Sequence, residues 1–384
     1  MARGHEVTVV APFPSRPAGR LYPGYRRGLV RRERDPRGFE VVRCFSALSP
    51  RSSMASRLME NLSFGVTGGA AALLGARPDV VYANTWPVFA TGILAGVARL
   101  RGVPLVVSVQ DVYPESLVSQ GRIRDDGLLA RALRAVDGAI ARGTRELIVI
   151  SERFARTYRE TRGVPPERTH AIPNWGDAPT APAGGEGARL RERLGIPPGA
   201  CLVVYGGNVG VAAGVETVVE AFRHLGDRDD VRLLVAGEGS SLDACRALAA
   251  EAAPGRILFE SPWRAEDTAG VLAAADVFVL PTRGSQSLAS VPSKLVSYML
   301  AERPVVAMAL PGSDLADMVE ESGGGWLVEP DRPEELAATL REVASLDPDE
   351  RARRGRAAFA FASGRLTRDS CLPRICDLLE TAAA

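Results

Sequence analysis

The chain is nearly without lysine: of 47 basic residues, Lys294 is the one lysine and forty-six are arginines. It has three histidines, at positions 5, 170 and 224, and five cysteines, at 44, 201, 245, 371 and 376, with no CxxC pair. So scattered a set excludes a His/Cys metal cluster and a disulfide framework, and it predicts reduced, mostly buried thiols. No apolar run approaches the ~20 residues that cross a bilayer, and no signal-like stretch precedes the first strand. With 46 acidic residues the net charge is +1, too little for the broad positive field of a nucleic-acid binder. The GxGxxG fingerprint of dinucleotide enzymes is missing too. The expectation is a cytoplasmic protein without metal, cofactor or nucleic-acid partner.

What is present is a soluble-type composition, 46% hydrophobic and 24% charged over 384 residues, enough for two domains. Richness in Arg and Ala suggests a GC-rich bacterial genome. Apolar strand-like runs alternate with helical patterns, the mark of parallel α/β domains. The first set is His5–Val10, Phe39–Cys44, Asp79–Tyr82, Leu105–Val109, Glu146–Ile150 and His170–Pro173. A Pro/Gly/Ala-rich stretch, Ala178–Gly187, reads as a linker. The cycle then restarts with Cys201–Tyr205, Val231–Ala236, Ile257–Phe259, Val277–Leu280, Val305–Met308 and Trp326–Val328. The expected architecture is two tandem Rossmann-like, doubly wound domains, 1–180 and 188–346, with a helical tail, 347–384, that could pack back across the cleft. Ala2-Arg3-Gly4 looks like a helix end stopped by glycine, so the first domain is expected to lack its first strand and helix.

Lys294 sits in Ser290-Val291-Pro292-Ser293-Lys294, where proline announces a helix start. Unpaired N–H groups and a partial positive charge make such a start an anion site, and Ser290 and Ser293 add hydroxyl donors. Lysine adds a compact point charge where arginine would add a planar fork, a physical reason to keep it over a phosphate. Gly206-Gly207-Asn208-Val209-Gly210 follows a strand and precedes a helix, so Gly207, Asn208 and Gly210 could bring backbone N–H groups to a diphosphate or simply make a tight turn. Gly237, in Gly237-Glu238-Gly239, is a second such turn. Arg283, in the loop after Val277–Leu280, is either a phosphate clamp or a solvated loop residue.

In the first half, Asp111 and Glu115 follow a buried strand in Gln110-Asp111-Val112-Tyr113-Pro114-Glu115. Asp111 suits a base or hydroxyl-orienting role, while Glu115 after proline suits a helix cap as well. Asn84 and Trp86 border the same strand-end region, Trp86 as a sugar-stacking or a core side chain. Residues 16–37 are basic and aromatic, with Tyr25, Arg26, Arg27, Arg31 and Arg32 able to hold an anionic acceptor or lipid headgroups, or to form a solvated face.

Taken together these pieces resemble the family 4 glycosyltransferases of the two-domain GT-B type. Within it the chain is similar to bacterial enzymes that build O-antigen and exopolysaccharide repeats on a lipid carrier, such as fucosamine and colanic-acid transferases. The resemblance rests on Ala11-Pro12-Phe13-Pro14, Leu62-Ser63-Phe64, Asp111-Val112-Tyr113-Pro114-Glu115-Ser116, Ile172-Pro173-Asn174, Gly207-Asn208-Val209-Gly210 and Pro292-Ser293-Lys294. It implies a nucleotide-sugar donor in the C-terminal domain, a saccharide or lipid-linked acceptor on the N-terminal one, retention of configuration and no metal. Gly207, Asn208, Gly210, Ser293 and Lys294 would line the diphosphate; Asp111 would face the acceptor. Departures narrow the subfamily: Asn208 and Ala213 stand where many relatives carry Arg and Lys, Ser297 replaces a ribose-gripping glutamate, and Glu302 occupies a usual glycine position. Two alternatives stand beside transfer: a nucleotide-sugar epimerase of the same plan, and a non-catalytic sugar-nucleotide-binding protein.

Overall fold

Continuous apolar strands with no polar alternation must be covered on both faces, and parallel sheets flanked by helices do this. The computed structural model describes residues 3–15, 19–49, 53–84, 88–119, 121–177, 185–226, 228–288 and 292–384. The chain forms two compact units. One comprises Met1–Pro114, Ile123–Ile172 and Ile375–Ala384; the other comprises Glu115–Arg122 and Pro173–Arg374.

The first unit contains β1 (Thr8–Pro12), β2 (Val30–Arg34), β3 (Glu40–Cys44), α1 (Met54–Leu74), β4 (Val81–Asn84), α2 (Val88–Arg101) and β5 (Leu105–Val109). A short α3 (Glu115–Ser119), which clusters with the other unit, precedes α4 (Leu128–Gly143), β6 (Glu146–Val149), α5 (Glu152–Arg162) and β7 (Thr169–Ala171). Its strands fall into two sheets, β1-β3-β2 and β4-β5-β6-β7. Among the described residues β1 pairs with β3 alone and β4 with β5 alone, and Val9, Val10 and Tyr82 on these open sides are exposed. Strand β2 was not legible in the sequence. Its residues, Val-Arg-Arg-Glu-Arg, read as part of the basic stretch, yet they pair antiparallel with β3 because Arg32–Glu40 and Arg43–Glu33 ion pairs lie across the ladder.

The second unit holds α6 (Glu186–Arg193), β8 (Cys201–Gly206), α7 (Val215–His224), β9 (Val231–Ala236), α8 (Leu242–Ala252) and β10 (Ile257–Glu260). It continues with α9 (Thr268–Ala274), β11 (Val277–Leu280), α10 (Lys294–Leu300), β12 (Val305–Met308), α11 (Asp314–Ser322) and β13 (Gly325–Val328). Helices α12 (Pro333–Ser345), α13 (Pro348–Arg365) and α14 (Arg368–Ala383) follow. The strand order β10-β9-β8-β11-β12-β13 is wholly parallel, so the chain reverses direction across the sheet between β8 and β11. Alternation sorts the buried residues by face: Leu202 and Val204 pack on one side, and Cys201, Val203 and Tyr205 on the other. Residues 178–184 of the expected linker lie outside the described residues. Its end is corrected: Glu186 and Gly187 already belong to α6, and a Cβ on Gly187 would sit 2.7 Å from the Ala273 carbonyl carbon.

Glu302, where glycine was expected from the resemblance, has φ of 59°, in the left-handed region that suits glycine. Its carbonyl oxygen lies 2.3 Å from where a Cβ on Gly355 of α13 would be. Replacing Glu302 by glycine should therefore stabilise the second unit by about 0.5–1 kcal/mol, through relief of the left-handed strain. Gly355→Ala should destabilise it by about 1–3 kcal/mol. Urea unfolding of the two variants checks both signs; a Gly355→Ala protein as stable as the parent would show that α13 does not pack this closely.

Candidate functional site

Open α/β sheets bind ligands beyond the strand C-termini where the winding reverses, which here means beyond β8 and β11. The first such loop begins at Gly206. Gly207 has φ of 139°, and a Cβ there would fall 2.0 Å from Lys294 Cε, so lysine can cross this turn only because residue 207 has no side chain. The turn after β9 comes equally close: Gly237 has φ of 152°, and a Cβ on it would lie 1.8 Å from the Gly207 carbonyl oxygen. Hydrogen bonds lock the two turns together, from Gly207 N to Ala236 O (2.8 Å), Val209 N to Glu238 O (2.8 Å) and Ser241 N to Val209 O (2.9 Å).

Lys294 is the first residue of α10 and half-buried, with Nζ 5.4 Å from the centre of the Tyr205 ring. The buried Tyr205 donates its hydroxyl to Asn208 O at 2.7 Å and thereby fixes the glycine turn. Tyr298, stacked on Phe278 with centroids 4.0 Å apart, accepts from Gly206 N at 2.8 Å and donates to Gly206 O at 2.9 Å. Burial, with no carboxylate among the described residues in ion-pairing reach, pulls the Lys294 ammonium below its ordinary pKa. Burial pushes both Tyr205 and Tyr298 up, so the phenols stay neutral donors.

Arg283 also comes to the glycine loop, its Cγ 3.1 Å from a Cβ built on Gly214, but Glu216 in the first turn of α7 holds its Nη2 at 3.0 Å. Its Nε is buried without a partner among the described residues. Asn208, Ser293 and Ser297 are exposed, and Gly210 is half-buried. Ser290 and Trp86 lie outside the described residues. Sequence reasoning missed the supports: Tyr205, Tyr298, Glu216, Trp263, whose ring comes within 3.0 Å of a Cβ on Gly206, and Asp331, which accepts from Gly284 N at 2.8 Å. Apart from aromatic and acidic residues near strand ends, nothing local in the sequence marks them.

In the first unit Asn84 ends β4 opposite Ser108 of β5, and Asp111 follows two residues after β5, so both sit at one end of the four-stranded sheet. Burial raises the Asp111 pKa, and no described group donates to its carboxylate. Glu115 is the first residue of α3, where a carboxylate suits the positive end of the helix. Tyr25 lies edge-on to Phe13 (6.2 Å), donates to Glu33 at 3.3 Å and carries Arg31 over its ring at 5.4 Å. Beside it a cavity of about 240 Å³ is lined by Phe13, Leu21, Phe45, Leu48 and, as its one charged residue, Arg27. No group of three or more His, Cys, Asp or Glu residues suited to a metal occurs among the described residues.

Two wound α/β units, one with paired glycine turns and a lysine at its switch point, define a glycosyltransferase-type architecture. The family description "Glycosyl transferase 4-like domain" matches residues 1–175, and "Glycosyl transferases group 1" matches residues 200–345. The chain belongs to the GT-B glycosyltransferases, and within them it is like the colanic-acid and O-antigen transferases. It is 27% identical to the probable glycosyltransferase WbjE of Pseudomonas aeruginosa over 71% of this chain and 67% of that one. It is 24% identical to the putative colanic acid biosynthesis glycosyl transferase WcaI of Escherichia coli K12 over 90% and 86%. In fold it is similar to Anabaena HepE in complex with UDP (TM-score 0.69, 20% identity, 84% of each chain). It is similar also to WaaG, a glycosyltransferase involved in lipopolysaccharide biosynthesis (TM-score 0.66, 21% identity, 100% and 91%).

Lys294→Ala should weaken nucleoside-diphosphate binding by about 1.5–3 kcal/mol, the loss of a charged hydrogen bond. In the free protein the lysine titrates low, and a bound diphosphate would raise it. Affinity should then be flat below the lowered pKa and fall as pH rises through it toward the bound-state value. Lys294→Arg, which does not titrate there, should lose that slope. Calorimetry with UDP and GDP across the alkaline range checks both; equal affinity in the Ala variant would remove Lys294 from the site.

Proposed function

We propose that the enzyme transfers a sugar with retention from a nucleoside-diphosphate donor to a lipid-linked saccharide acceptor in cell-surface polysaccharide synthesis, without a metal. The observation that carries this is Lys294, a half-buried cation without a described carboxylate, lying across a side-chain-free turn where an anion can approach. As the glycosidic bond to the diphosphate breaks, negative charge grows on the leaving oxygen. Lys294 and the turn's N–H groups at Asn208 and Gly210, which have no acceptor among the described residues, would stabilise it, the role a divalent ion plays elsewhere. Asp111, its carboxylate desolvated, would orient the acceptor hydroxyl and receive or relay its proton. HepE was solved with UDP, and WcaI and WaaG are named for colanic acid and lipopolysaccharide; these names support the donor and acceptor classes.

The acceptor's lipid suits the first unit's surface. Leu58, Met59, Leu62 and Val66 recur on one face of α1 and are exposed, as are Leu29, Val30, Arg26 and Arg27. Arg31 and Arg32 are exposed but already face Glu33 and Glu40, which reduces their pull. No helix among the described residues is long and apolar enough to cross a membrane.

Incubation with UDP-, GDP- and dTDP-sugars plus bacterial membrane lipid should release nucleoside diphosphate and form a glycolipid, in EDTA as well as without it. Asp111→Asn should lower turnover by about 10²–10⁴-fold while leaving UDP binding intact. Epimerised donor without released diphosphate, or turnover that needs Mg²⁺, would overturn the reading. A separate expectation is that vesicles with anionic lipid sediment the protein more than neutral ones, with each of Arg26 and Arg27 contributing ~1 kcal/mol and salt weakening the effect. Equal binding to both vesicle types would dismiss the membrane surface.

A further inference from the structure

A charged pair buried in the protein interior has to be explained, because two well-packed apolar side chains of the same volume would commonly be as stable or more so. Arg162, the last residue of α5, and Asp137 of α4 form such a pair, with side chains 2% and 5% exposed and Arg162 Nε to Asp137 Oδ2 at 3.1 Å. The other carboxylate oxygen accepts from the Tyr158 hydroxyl at 2.9 Å. Gly138 makes the room: a Cβ on it would stand 3.8 Å from Arg162 Cβ and 2.9 Å from Arg142 Nη1, which itself donates to Arg162 O at 2.7 Å.

The fork has one arm left over for a distant target. Arg162 Nη1 donates to the neighbouring Thr161 Oγ1 at 2.7 Å, while Nη2 reaches 49 residues back along the chain to donate to Tyr113 O at 2.7 Å. Val112 and Tyr113 are buried, and a buried carbonyl in a turn needs a donor. That carbonyl lies two residues beyond Asp111, in the turn that leaves β5. We infer that Arg162, aimed by Asp137, is a positioning residue that fixes the Asp111–Tyr113 turn and so sets where the Asp111 carboxylate stands for the acceptor. The assignment rests on the role proposed for Asp111. A planar fork is required: one nitrogen must meet the carboxylate while another meets the carbonyl, which a single ammonium cannot do from the same stem. Misplacement of a catalytic group by ~1 Å costs on the order of 10²-fold in rate, so a tether of this kind acts on turnover more than on stability.

The test uses the whole chain. The paired apolar variant Asp137→Leu with Arg162→Met should fold, bind UDP with wild-type affinity and lose at least about tenfold in acceptor-dependent turnover, a loss within the ~10²-fold cost of misplacement. Its amides at 110–113 should exchange with solvent at least about tenfold faster, as a released turn would, while those of β5 and β6 stay protected. Arg162→Lys should give an intermediate loss, and Tyr158→Phe, which leaves the carbonyl contact in place, a change of less than about twofold in turnover on the same reasoning. Unchanged exchange and turnover in the paired variant would overturn the inference, as would its failure to fold, or a Tyr158→Phe loss as large as that of the paired variant. Hydrogen exchange does not depend on the reaction. If the wild type transfers no sugar while the turn loosens as expected, the tether stands and the glycosyl-transfer reading falls.

Discussion

Everything at the candidate donor site depends on two backbones meeting without side chains between them. The turn after β9 lies so close to the turn after β8 that a single methyl at residue 237 would overlap the Gly207 carbonyl. The strand order makes this contact unavoidable, because β8 and β9 are ladder neighbours and both chains leave the sheet at the same end. Once the turns are locked, Gly207 leaves a shallow bare surface, and the lysine stem fills it from α10. Tyr205 and Tyr298 complete the fixation from inside the sheet, each giving its hydroxyl to a carbonyl of the loop rather than to a ligand.

The near-absence of lysine then takes on a physical meaning. Arginines across the molecule use their forks to satisfy carbonyls that helices and turns leave open. Arg351 donates to Val343, Ala344 and Leu346 at the end of α12, Arg101 to Ala72, Ala76 and Gly75, and Arg191 to Ala274 and Ala200 while pairing with Asp276. Five donors in one plane suit that work; a single ammonium does not. Arg283, which also comes to the glycine loop, is already paired with Glu216. Lysine is kept at 294, where no carboxylate among the described residues pairs with the charge.

The first unit is organised differently. Its strands divide into two sheets, joined through the helical layer in which α1 packs on α2 as well as on β1 and β3. The buried Asp137–Arg162 pair, with Tyr158 bonded to Asp137, lies between α4 and α5 and reaches the turn that leaves β5 through Tyr113. An apolar cluster running from Leu105 and Val107 to Phe154 packs around them.

Much of this was readable from the chain. Buried parallel strands are continuous apolar runs bounded by glycine and proline, so β5, β9, β11 and β12 fall on the residues expected of them. Glycine pairs after strands and a lone lysine after Pro-Ser were legible as turns and a helix start for the same reason: their signals are local. Strand β2 was hidden because its charges are balanced by residues on another strand, and α6 because proline and glycine just before it mask its start. The strain at Glu302 is a backbone dihedral that one side chain cannot announce. Sequence settled which residues could bear charge, turn tightly or lie inside. Only the tertiary structure decided that residue 207 lies under residue 294, and that a guanidinium at 162 grips a carbonyl at 113. Such pairings are set by how strands order themselves in a sheet, and strand order is a property of the whole chain.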